Sequence, residues 1–131
     1  MPQRINWEPG NSVGNATLDA QHQALLARCN LLADCLAIGG AAGERRFDEA
    51  FAELLALARQ HFSTEETLLA QSGHAGLDVY RDECAEFDYL ADDIITTENF
   101  DRDELQTFLA LWWTGHILDA AKNHRACLEQ P

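Results

Sequence analysis

Between residues 10 and 130 this 131-residue chain contains no proline; its three prolines stand at 2, 9 and 131. Proline is the strongest interruption of a helix, because it lacks the amide proton and clashes with the preceding turn. Its absence leaves glycine to divide the chain. Glycines fall at 10 and 14, at 39, 40 and 43, at 73 and 76, and singly at 115. The segments between them are rich in Ala, Leu and Glu, a composition that favours helix over strand. The spacing predicts helices over about 18–38, 45–72, 77–96 and 102–128, after an irregular arm over about 1–17.

Each helix has an apolar face. In the first, Leu18, Leu25, Leu26, Leu32 and Leu36 recur at helical spacing with Cys29 beside them, and Gly39-Gly40 supplies the stop. In the second, Phe47, Phe51, Leu54, Leu55, Ala58 and Phe62 share one face, with Gly73 just past the end. Asp101 is placed to cap the fourth, with Glu104 three residues on. Four amphipathic helices with short connections predict an all-α fold, an antiparallel up-down-up-down four-helix bundle in a single domain. No strand pattern, internal repeat or low-complexity tract competes.

Charge narrows the partners. Twenty-two acidic residues against nine basic ones give a formal net charge of −13. Nucleic acid and anionic membrane surfaces both demand basic patches, so neither is expected as a partner. No apolar run approaches the roughly 20 residues that span a bilayer. The N-terminal residues lack the apolar stretch of a signal peptide, which makes the cytoplasm the expected location. The cysteines, Cys29, Cys35, Cys84 and Cys127, form no C-x-x-C pair, so neither a zinc knuckle nor a thioredoxin-type site is indicated.

Inward positions of a bundle should be apolar, so polar residues there carry information. His22 precedes Leu25 and Leu26 on the apolar stripe of the first helix. His61 and Glu65 are four apart on the second and project from one face. His116 follows Trp112-Trp113 on the fourth. Taken singly, such a histidine is ordinarily a hydrogen-bonded core residue, Glu65-Glu66 a solvated surface, and the tryptophan pair packing. Taken together, one imidazole from each of three helices and an adjacent carboxylate are how bundles build metal sites.

These elements resemble those of the bacterial hemerythrins over essentially the whole chain. Trp7 and Val13-Gly14 are similar to the family's opening, and Leu18-Asp19-Ala20-Gln21-His22 to its D-x-Q-H element. His61-Phe62-Ser63-Thr64-Glu65-Glu66 matches H-F-x-x-E-E, the most specific of the set, and Trp113-Thr114-Gly115-His116-Ile117 matches W-x-x-H-I. The resemblance implies a four-helix bundle holding a non-haem di-iron centre that binds dioxygen, with five histidines, a bridging glutamate and a bridging aspartate as ligands. It assigns His22, His61, Glu65 and His116 as metal ligands here.

Three ligand positions depart from that pattern. The family's third-helix H-x-x-x-H-x-x-F element, anchored on Phe87, falls on Tyr80 and Cys84, and its aspartate position on Ala121. Asp119 would point about 160° away from Ala121 on a regular helix. His22, His61 and Glu65 suit ferrous iron with open positions for a small ligand. Tyr80, Cys84 and His116 would form the other half, phenolate and thiolate favouring a ferric or softer ion. The alternative for Tyr80 and Cys84 is core filling. Asp88 lies on the same stripe, while His74 and His124 fall outside the family's ligand positions and are expected at the surface.

The expected protein therefore binds iron, as one or two ions, or another divalent metal. A small ligand such as dioxygen is expected with it, for storage or sensing. Two other readings compete: a non-haem iron or thiol-dependent redox enzyme using Tyr80 and Cys84, and a metal-free bundle whose inner polar groups pair among themselves.

Overall fold

The computed structural model describes residues 3–97 and 99–129. It is a bundle of four helices, α1 (Ala16–Ile38), α2 (Gly40–Gln71), α3 (Leu77–Thr96) and α4 (Arg102–Asp119). Beyond α4 the chain continues through a π-helical segment, Ala120–His124, and a last α-helical turn, Arg125–Leu128. No strand occurs among the described residues, and none of their helices is long and apolar enough to cross a membrane. The short links make sequential helices antiparallel, as the helical periodicity required.

Local chemistry sets the helix ends. Asn15 caps α1, its side-chain oxygen accepting from Thr17 N at 3.1 Å and Leu18 N at 3.2 Å. Asp101 caps α4 by accepting from Glu104 N at 3.2 Å. The break between α1 and α2 is tighter than the glycine cluster suggested. Gly39 alone, at φ +67°, separates them, and Gly40 already belongs to α2. Gly43 lies inside the helix, and only glycine fits there, because a β-carbon would stand 2.7 Å from the Cys35 carbonyl oxygen.

The arm is pinned by two side-chain amides that act as a backbone would. Asn30 accepts from Ile5 N at 2.8 Å and donates to Ile5 O at 2.7 Å. Gln106, wholly buried, accepts from Gln3 N at 2.8 Å and donates to Gln3 O at 2.6 Å and Cys29 O at 3.1 Å. Asn15 also donates to Leu128 O at 3.1 Å, tying the last turn to the start of α1.

The core has two apolar clusters. One gathers Leu25, Phe47, Leu54, Phe87, Leu109 and Trp113 among others; the second gathers Val13, Leu18, Leu69, Tyr80, Ala120 and Leu128. Along α1, α2 and α4 the inward polar residues fall between members of the two. They form a polar layer enclosed by hydrophobic ones, which keeps water from it.

Candidate metal centre

α1 delivers His22 to that layer, α2 delivers His61 and Glu65, and α4 delivers His116. All four are buried, and one donor atom from each lies within 4.8 Å of every other. His61 Nε2 is 3.0 Å from His22 Nε2, 3.2 Å from His116 Nε2 and 2.5 Å from Glu65 Oε2. Glu65 Oε2 is also 3.1 Å from His116 Nε2 and 3.8 Å from His22 Nε2. His116 therefore joins the other three at one point; the sequence had grouped it with Tyr80 and Cys84.

Proton accounting shows what such a point accepts. Thr64 donates its hydroxyl proton to Gln60 O at 3.0 Å, leaving its oxygen to accept from Gln21 Nε2 at 3.4 Å. That orients the Gln21 amide with Oε1 2.9 Å from His61 Nδ1. An amide oxygen only accepts, so Nδ1 carries the proton and the neutral imidazole keeps its Nε2 lone pair. Burial, opposed by the neighbouring Glu65 carboxylate, lowers the His61 pKa to about 4 and so keeps the ring neutral. Burial alone would raise the Glu65 carboxyl. The four imidazoles around it, His116, His124, His22 and His61, overcome that effect and hold the group well below the usual carboxylate range. A lone pair and an ionised carboxylate oxygen thus face each other, with two more imidazole nitrogens beside them. This donor set fits a divalent cation of intermediate hardness.

Aromatic rings hold the donors in place. Trp112 stacks on His116 with centroids 5.1 Å apart and planes 11° from parallel. Trp113 meets both His61 and His116 edge-on, at 5.8 and 5.2 Å. The tryptophan pair read as packing is packing, and it packs against the donors.

The remaining candidates are placed as follows. Tyr80 is buried, with its ring 6.1 Å from that of His116 and its hydroxyl without a hydrogen-bond partner. Burial first, then the charge of Glu65, pushes the phenol upward. Cys84 is half-buried and lies outside the four-donor cluster; burial raises its thiol to about 12. Glu66 turns outward to pair with Arg81, Asp88 is exposed, and Ala121 is half-buried. All four cysteines are free thiols.

His124 corrects the sequence reading. Expected at the surface, it is buried, with Nδ1 3.8 Å from Glu65 Oε1 and Nε2 3.8 Å from Asp119 Oδ2. On a regular helix it would lie about 80° around from His116. In the π segment each hydrogen bond spans five residues, and the wider turn cancels most of that angle. His74, half-buried, packs its ring 4.8 Å from that of His124.

A helical bundle with three histidines and a glutamate converging in its core defines a metal-binding bundle protein. The family model for the hemerythrin HHE cation-binding domain matches residues 13–122, and the chain belongs to the hemerythrin family. No curated protein and no solved structure matches it significantly.

Proposed function

We propose that this protein binds iron through His22, His61, Glu65 and His116 and uses the centre to bind a small ligand such as dioxygen, in storage or sensing within the cytoplasm. The observation that carries this reading is the convergence of three imidazole nitrogens and one carboxylate oxygen on a buried point. Iron bound there supplies a Lewis-acidic, redox-active ion with coordination positions to spare. The chain's own part is to hold the donors and to admit the ligand. Gln21 fixes the His61 tautomer, and Trp112 fixes the plane of His116. A cavity of about 310 Å³ lined by Glu83, Glu86, Leu111, Trp112 and Gly115 reaches His116 between α3 and α4. It offers a small molecule a route to the edge of the site.

The test is elemental analysis of protein purified without chelator, with optical spectra under argon and under oxygen. Stoichiometric iron and an oxygen-dependent spectrum support the reading. His61→Ala and Glu65→Ala should each lose the metal while remaining helical, and full occupancy in either variant rejects the assignment.

One observation favours a second reading, a redox enzyme. The buried Tyr80 hydroxyl has no hydrogen-bond partner and stands beside Glu65, with Cys84 one turn further along α3. Peroxide turnover that falls in Tyr80→Phe or Cys84→Ser would select it over the binding protein.

A further inference from the structure

Glu65 uses only one of its two oxygens in the four-donor cluster. Oε1 faces the other way, is buried, and has no hydrogen-bond partner. Two more orphaned polar atoms accompany it: the Tyr80 hydroxyl, on a side chain 2% exposed, and His124 Nδ1, on a residue 7% exposed. Buried polar groups are nearly always paired, so three such orphans call for an explanation.

We propose that His124, outside the family's ligand positions, serves as a ligand in the second iron position that the family's two-iron centre implies, its Nδ1 joining Glu65 Oε1 and the Tyr80 hydroxyl oxygen. The proposal rests on the assignment of the first site, because Glu65 is shared between the two. His124 lies beyond residues 13–122, the span of the family match, so it is no part of the family's pattern.

Distance separates this reading from a direct hydrogen bond. His124 Nδ1 and Glu65 Oε1 stand 3.8 Å apart, too far for a hydrogen bond. Two donors each about 2.1 Å from one ion stand roughly 3–4 Å apart. The far side of the His124 ring agrees: Nε2 faces the Asp119 carboxylate at 3.8 Å, itself held by Asn123 Nδ2 at 2.5 Å. With an ion on the Nδ1 side, the carboxylate behind the ring holds the proton on Nε2, the arrangement of metal-bound histidines. Tyr80 adds a hard oxygen donor suited to iron(III), and its proton leaves to water when the ion binds. The π segment swings His124 toward the side of His116, from which a regular helix would leave it about 80° away.

The test uses the full chain loaded with iron(II) under argon, desalted, analysed for iron, and then exposed to air for optical spectra. Two irons per chain are expected in the parent and one in His124→Ala, with unchanged helical circular dichroism. Should that variant fail to fold, His124→Gln keeps a polar side chain and is read in the same way. Tyr80→Phe should lose a phenolate-to-iron(III) band that the parent shows. Two irons retained in the His124 variant overturn the proposal, as does a phenolate band surviving in Tyr80→Phe. One iron in the parent overturns it and leaves the first site standing, whereas none in the parent overturns both.

Discussion

Gln21 Oε1 and His61 Nδ1 lie 2.9 Å apart, and that contact decides which nitrogen of the ring is available at the centre of the bundle. Thr64 fixes the amide, the amide fixes the imidazole, and the imidazole turns Nε2 toward Glu65. Gln21→Ala should therefore weaken iron binding about 10–100-fold without removing a donor. Gln21→Glu keeps an acceptor at the same place and should stay close to the parent. Competition titration against a chelator of known affinity measures both.

Acid should destabilise chelator-stripped protein from pH 6.5 downward. His61 titrates near 6.5 when unfolded and at about 4 when folded, so between those values the unfolded chain takes up the extra proton. Its stability contribution is lost as pH falls through that window. Glu65, held below its ordinary value, acts in the same sense: its contribution is present above about 4.5 and lost as pH falls through its folded value. His124 is raised by the Glu65 carboxylate it faces, so its contribution is full below 6.5 and fades as pH rises through its folded value. The expected Tm profile declines from pH 6.5 to 4, and His61→Gln should flatten it. A parent profile flat across that range would contradict the neutral assignment of His61.

Gly43→Ala should cost about 1–3 kcal/mol, because its β-carbon meets the Cys35 carbonyl oxygen, a backbone atom that cannot swing aside. Gly115→Ala is the counterpart. A β-carbon there meets nothing within 4 Å, so the exposed mid-helix position should gain about 0.5–1 kcal/mol. Urea denaturation of the two variants should move the midpoint in opposite directions.

Gln106→Leu should release the N-terminal arm. The buried amide makes three bonds to backbone groups at Gln3 and Cys29, and leucine leaves those groups unpaired at a cost of about 1–3 kcal/mol. Faster proteolytic cleavage before Trp7, together with a lowered denaturation midpoint, is the expected result.

His22, His61, Glu65 and His116 were legible because each sits on a helix face that periodicity alone defines. The four-residue step from His61 to Glu65 puts both on one side of α2 whatever surrounds them. His124 was expected at the surface because it falls outside the family's ligand positions, and nothing in the sequence announces the π segment that sets its direction. The start of α2 was misplaced for a related reason. Gly40 and Gly43 look like linker in a sequence, while Gly43 is helical and is matched to the close approach of the end of α1.

The sequence by itself determined the helices, their antiparallel order and the inward faces of His22, His61, Glu65 and His116. Those follow from local propensity, capping and a fixed angular step per residue. Only the tertiary structure decided that His116 shares one point with His22, His61 and Glu65, that Cys84 stands aside from it, and that His124 turns inward to face the second oxygen of Glu65. Those relationships depend on how far one helix has rotated and wound against its neighbours. That is set by packing among residues distant in the chain, and no local rule encodes it.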